Sequence, residues 1–217
     1  MTIKLFWDDP YLTTCTAVVT SIDVRVVKLD RTIFYAFSGG QESDTGTIGG
    51  ISVLEAHKQG DKESIIDIDY TLAEVPLFRV GDTVEVVIDA AKRDRLRRLH
   101  SAAHLLYYSA IFVLGPIKIV GSNVGMDKAR MDFSYELPLV EKIALIEEAV
   151  NSVISSGVAI VMKNDEEKAD LRWWTCGEHK MPCGGTHVRN VSEIGPLRLA
   201  RVNKGKGKER IEIFLTS

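Results

Sequence analysis

The stretch that decides the fold runs from Ala90 to Gly115, AAKRDRLRRLHSAAHLLYYSAIFVLG. Leu96, Leu99, Ala103, Leu106, Ala110 and Val113 recur at helical spacing and form one broad apolar face. Gly115 and Pro116 then supply a C-cap and a breaker, so the pattern predicts one long helix. Upstream the pattern is that of strands. CTAVVTSIDVRVVKL (15–29), RTIFYAF (31–37), GTIGGISVLEA (46–56), SIIDIDYTL (64–72) and DTVEVVID (82–89) are short β-branched runs punctuated by Gly, Asp and Lys. They predict a small barrel or sandwich, with a hairpin turn at Gly81-Asp82. Downstream, Leu139, Ile143, Ile146, Val150 and Val153 predict a second helix over 139–156, stopped by Gly157. GPIKIV, KARMDFS, GVAIVMK, GPLRLARVN and ERIEIFL read as strands. The expected fold class is α+β. A small N-terminal β-barrel over 1–89 is followed by an α+β domain over 90–217, with a largely antiparallel sheet and flanking helices.

Composition narrows the function classes. The chain has 217 residues, 45% hydrophobic and 26% charged, enough to bury a core without disulfides. Its three cysteines, Cys15, Cys176 and Cys183, are too few for a disulfide framework and fit a reducing compartment. A net charge of −3 means that any nucleic acid must be met by a local basic patch. Asp8 and Asp9 interrupt the start of the chain, where a signal peptide needs an apolar run. No stretch is long and apolar enough to span a membrane. A cytoplasmic protein with no membrane partner is expected.

Two pairs of residues carry chemistry. His100 and His104 stand four apart on the predicted helix, one turn from each other on one face. Cys183 and His187, in CGGTH, form a second pair with the same spacing. Nitrogen and sulfur donors in two such pairs read as one zinc site assembled from separate elements. Position 101 is Ser, not Glu, which argues against the H-E-x-x-H metalloprotease pattern. Gly184 and Gly185 would let the backbone turn tightly or approach a ligand closely. A closed structural site of Cys176, His179, Cys183 and His187 competes with this reading, but leaves His100 and His104 unexplained. A nucleophilic Cys183 activated by His187 is a third reading.

The combination of H-x-x-x-H with C-x-x-x-H inside CGGTHV resembles the editing domain of alanyl-tRNA synthetases, a pattern shared with the threonyl enzymes. RRLHSAAHLLYYSAIFVLG, VGSNVGMDKARMDFS and CGGTHVRNVSEIGPLRL are similar to successive segments of that domain. FYAFSGGQESDTGTIGG (34–50) is similar to the glycine-rich motif of the β-barrel preceding it. The chain has no room for an aminoacylation domain, so it resembles a freestanding alanyl-tRNA editing protein of intermediate length. The resemblance implies hydrolysis, in trans and without ATP, of mischarged alanine tRNA. Serine is the expected target, with glycine as a further candidate. It implies one zinc ion held by His100, His104, Cys183 and His187. Ser101 stands where the family commonly has Thr, which keeps the hydroxyl and loses a methyl.

The implied reaction suits these residues. An alanine-sized synthetic pocket rejects a small added hydroxyl poorly, whereas a second site that hydrogen-bonds that hydroxyl can sort the two. Ser101 and Thr186 beside the donors, and Gly121 and Ser122, are candidates for that pocket. Gly39, Gly40 and Gln41 form a glycine loop whose amide could approach the ester. Arg93, Arg97 and Arg98 with Lys92 and Arg95, and Lys206 and Lys208 with Lys204 and Arg210, are two basic clusters suited to RNA phosphates. Two other readings stay open: the same chemistry on serine carried by threonine tRNA, and a zinc-stabilised RNA-binding module without catalysis.

Overall fold

A computed structural model describes residues 1–60, 65–168, 171–205 and 207–216. It is a mixed α+β fold in which most strands pair antiparallel, while β1 (Ile3–Lys4) pairs parallel with β4 (Arg31–Thr32). The chain divides into two units. One comprises Met1–Asp94, Asn164–Arg172 and Cys183–Thr186; the other comprises Arg95–Lys163, Trp173–Pro182 and His187–Ser217.

In the first unit, α1 (Leu5–Asp8) precedes β2 (Thr14–Asp23), β3 (Val26–Leu29), β5 (Gly46–Ile48), β6 (Ile51–Gly60), β7 (Ile65–Leu72) and β8 (Thr83–Ile88). These six strands pair in the order β2-β3-β7-β6-β5-β8 and close into a barrel. Alternation builds the core. β8 buries Val84, Val86 and Ile88 while Thr83 and Glu85 face water. Val19, Val27, Leu29, Phe34, Ile48, Ile68 and Leu72 fill the same core. Gly49 (φ +57°) and Gly50 (φ +80°) form the two-residue turn between paired Ile48 and Ile51, where both central residues need positive φ. At Gly46 a Cβ would lie 2.1 Å from the Val87 carbonyl oxygen, so only glycine lets β5 pair there.

Two expectations are corrected here. RTIFYAF forms a strand only at Arg31–Thr32. Ile33, Phe34, Tyr35 and Ala36 are all buried, but side chains hold their backbone in place of a strand ladder. Asp44 Oδ2 accepts from Tyr35 N (2.7 Å), Thr32 Oγ1 accepts from Phe34 N (3.0 Å), and Arg93 donates to Ile33 O (2.6 Å). Gly81-Asp82 does form a turn, with Asp82 N donating to Arg79 O at 3.0 Å. It joins no hairpin, because β8 pairs with β2 and β5 and not with β7.

The long helix, α2 (Ala90–Leu114), starts at Asp89, whose Oδ1 accepts from Lys92 N at 3.0 Å. It ends at Gly115 (φ +80°), as the sequence predicts. Leu96, Leu99, Ala103, Leu106 and Ala110 are buried. In the second unit β9 (Lys118–Val124), β10 (Ala129–Ser134), β14 (Leu197–Asn203) and β15 (Lys208–Leu215) form a sheet ordered β14-β15-β10-β9. α3 (Ile143–Ser155) buries Ile146, Val150 and Ile154 and is tied to β14 by Asn151, whose amide both accepts from Leu197 N and donates to Leu197 O, each at 3.0 Å. The second helix was expected from Leu139. Instead a 3-10 turn covers Leu139–Glu141 and α3 begins at Ile143. β11 (Ile160–Asn164), β12 (Arg172–Cys176) and β13 (His179–Pro182) form a smaller sheet. The β12–β13 hairpin was not anticipated; Gly177 (φ +56°) makes its turn.

Candidate metal centre

One turn of α2 brings the His100 and His104 rings to 4.9 Å, edge to face. His187 lies 4.3 Å from His100 and 4.6 Å from His104, centroid to centroid. With Cys183 the three histidines form a cluster whose donor atoms all lie within 4.8 Å of one another. Cys176 and His179 lie outside it. Cys176 ends β12, and His179 stacks on Tyr108 at 4.0 Å.

The donor chemistry fits a metal ion. Burial pushes His100 down to about 4, and burial with the neighbouring His100 holds His104 well below the usual histidine range. Both imidazoles are therefore neutral at pH 7, the form that ligates. His104 Nδ1 is buried and has no hydrogen-bond partner among the described residues. Burial raises the Cys183 thiol to about 11, against the opposing pull of the Gly185 N–H, Arg172 and Lys58. A cation would displace that proton. Three nitrogens and one sulfur at this spacing can hold a metal ion and are consistent with zinc.

Each half of the cluster is oriented by neighbours. Ser101, fully buried, sets its Oγ 3.1 Å from His187 Nδ1 and accepts from Val188 N at 3.2 Å. That leaves His187 Nε2 as the donor, with Ser101 fixing the ring. Trp174, buried and unforeseen, meets His104 edge to face at 4.8 Å. Its signal was the alternation in RWWTC, where Arg172, Trp174 and Cys176 are buried. On the other side, Gln41 grips Thr186. Its Nε2 donates to Thr186 Oγ1 (2.9 Å) and its Oε1 accepts from Thr186 N (3.0 Å). Gly39 (φ +58°) and Gly40 (φ +85°) make the tight turn that delivers Gln41. Trp7 Nε1 donates to Gly184 O at 3.0 Å, and a Cβ on Gly184 would make only ordinary contact with Trp7 at 3.9 Å.

Gly121 and Ser122 lie on β9 opposite Asp132 and Met131, with Ser122 exposed. Arg93, read as a phosphate contact, is 1% exposed and is instead a core residue. Its guanidinium pairs with the Asp44 carboxylate and donates to Pro10 O at 3.1 Å, leaving no face for RNA. Arg97 is also buried, and Arg98 Nε donates to Ile194 O at 3.0 Å. Lys208 is exposed at the start of β15; Lys206 lies outside the described residues. No helix among the described residues is long and apolar enough to cross a membrane.

Comparison with known proteins agrees with this geometry. The family described as the threonyl and alanyl tRNA synthetase second additional domain matches residues 171–212. The alanyl-tRNA editing protein AlaX-M of Pyrococcus horikoshii is 34% identical over 99% of this chain and 98% of its own length. Alanine–tRNA ligases of Campylobacter jejuni and Sulfurisphaera tokodaii are 35% and 31% identical, over 92% and 94% of this chain and 25% of each ligase. The chain belongs to the family of alanyl-tRNA editing proteins.

Proposed function

We propose that the protein is a deacylase acting in trans on mischarged alanine tRNA, with serine as the main misplaced amino acid and glycine as a second. The observation that carries this reading is the cluster of His100, His104, Cys183 and His187 in a chain of this family. In this reading the four residues hold one zinc ion in the cytoplasm, residues 1–89 act as the barrel domain and 90–217 as the editing domain. A zinc ion bound there would supply a Lewis acid beside the ester.

The chain's own groups do the rest. Ser101 keeps the His187 ring at its angle through Nδ1. Gln41 fixes Thr186 by accepting from its N–H and donating to its hydroxyl oxygen, so the Thr186 O–H remains to donate to a seryl hydroxyl. Alanine offers no such acceptor, which gives the site its discrimination. Lys208 and the half-buried Arg98 are the cations nearest in role to the RNA contacts read from the sequence. The matching family covers threonyl as well as alanyl synthetase domains, which favours one second reading: serine on threonine tRNA.

Deacylation of alanine tRNA carrying labelled serine, beside the alanine-charged form and serine-charged threonine tRNA, tests both. Metal-dependent loss of serine from alanine tRNA alone is the expected result. Loss only from threonine tRNA supports the second reading, and loss from none overturns both.

A further inference from the structure

The sheet of the second unit has one buried side and one open side. β10 buries Ala129, Met131 and Phe133, and β15 buries Glu209, Ile211 and Ile213. By strand alternation the residues between them, Arg130 and Asp132 on β10 and Lys208, Arg210, Glu212 and Phe214 on β15, share the open side. Register adds Arg198, opposite Phe214, and Lys118, opposite Ser134. Among the described residues, Asp132 and Glu212 are the only carboxylates that the four strands turn to this side. Asp132 accepts from Arg210 Nε and from Arg130 Nη1, each at 2.6 Å, and Glu212 accepts from Lys128 Nζ at 2.8 Å. Lys118, Arg198 and Lys208 are exposed and have no carboxylate partner among the described residues. Both ends of the face set cations around a neutral residue. Lys118 and Lys208 flank Ser134, while Lys128 and Arg198 stand 5.8 and 5.3 Å from the Phe214 ring. In the turns at the two ends, Lys204 and Asp127 offset each other. An excess of one sign repels itself, and in a chain with a net charge of −3 such a concentration fits a polyanion.

We propose that the open side of this sheet is the RNA face of the protein and takes backbone phosphates of the tRNA acceptor stem. The inference rests on the editing reading above, which supplies a polyanionic substrate. Placement favours it. Arg95 Nε donates to Met126 O at 3.0 Å, which ties the β9–β10 turn to α2. Arg95 precedes His100 by five residues, about 7.5 Å of helix rise, so the Lys128 end of the face stands beside the helix that carries two of the donors. Extent favours it too. From Phe214 to Lys208 the face follows six residues of β15, about 20 Å, long enough for several consecutive phosphates. Asp132 braces Arg130 and Arg210 side by side, so these guanidinium groups are ordered before RNA arrives. The face also meets a need left open by Arg93 and Arg97, which are buried. Phosphate contacts of this kind read no sequence; they set the position of the stem and so of the ester at its end.

The test is fluorescence anisotropy of labelled, uncharged alanine tRNA titrated with the full chain over a series of salt concentrations. The triple variant Lys118→Gln, Arg198→Gln, Lys208→Gln removes the cations that no carboxylate holds, and thermal melts confirm that it folds. It should bind at least about tenfold more weakly, and the slope of log K against log salt should flatten by about 2–3. Lys118→Arg with Lys208→Arg keeps the charge and should keep the wild-type slope. A folded triple variant with wild-type affinity and slope leaves the face a solvated surface and overturns the proposal, as does a wild type that fails to bind the tRNA at low salt. Deacylation of serine-charged alanine tRNA is followed on the same samples. If the wild type binds through this face yet leaves the serine ester intact, the editing reading fails and the RNA face stands. If the triple variant binds as the wild type does and still removes serine, the editing reading stands and the RNA face falls.

Discussion

The two donor pairs have the same four-residue spacing and are made in opposite ways. His100 and His104 share one helix face, so backbone bonds between near neighbours set their separation. Cys183 and His187 lie on chain with no regular structure. Their positions depend on partners far away in sequence: Trp7 for Gly184, Gln41 for Thr186, Ser101 for His187. A helix supplies ligand geometry locally, whereas a loop must borrow it from distant residues. The loop half should therefore be the half that remote substitutions disturb.

The largest effect should come from the donors themselves. His104→Ala and Cys183→Ala should each reduce bound zinc from about one ion per chain to almost none, and abolish deacylation. Metal analysis of purified variants checks this, and a variant that retains a full ion breaks the four-donor assignment. Thermal melts of the same samples separate a structural metal, whose loss unfolds the chain, from one needed for chemistry alone.

Next comes the remote contact. Gln41→Ala leaves the buried Thr186 N–H without an acceptor, at a cost of about 1–3 kcal/mol. It should weaken zinc binding by about 10–100-fold, as loss of an orienting neighbour does. Unchanged denaturation and zinc affinity would remove the asymmetry between the halves. Ser101→Ala should cost about tenfold in zinc affinity, because His187 Nδ1 and Val188 N–H both lose their partner. Ser101→Thr, which keeps the hydroxyl, should restore most of it.

The smallest effect separates the halves by protons. His100, lowered to about 4, has no proton to give at pH 7, whereas the Cys183 thiol, raised to about 11, must lose one. Zinc uptake should release about one proton, and affinity should rise about tenfold per pH unit between 6.5 and 8. Calorimetry in buffers of different ionisation enthalpy measures this. Release of none would mean that the sulfur does not bind.

The same contrast explains what could be read from the sequence. α2 and its histidines follow from period alone, and Gly49-Gly50 follows from turn chemistry. The basic run at the start of α2 reads as a contact for RNA phosphates, yet Arg93 is buried because Asp44, 49 residues earlier, pairs with it. No local pattern contains that partner. RTIFYAF fails for the same reason: its apolar run resembles a buried strand, while Asp44 and Arg93 hold its backbone. In RWWTCGEHKMP the Cys and His draw attention to metal chemistry and away from an alternation that was present. Gln41 was placed in a glycine loop, but its grip on Thr186 belongs to tertiary structure alone.

That grip also has a history within each newly made chain. Gln41 leaves the ribosome 145 residues before Thr186. At bacterial and eukaryotic synthesis speeds the delay is roughly 7–30 s. The barrel strands are complete by Ile88, so during that interval the Gln41 amide stands without its Thr186 partner. The helix histidines also emerge before Cys183, and any ion they catch early is held by two donors alone. The nascent protein thus becomes fully competent for metal only when its last ligand segment arrives.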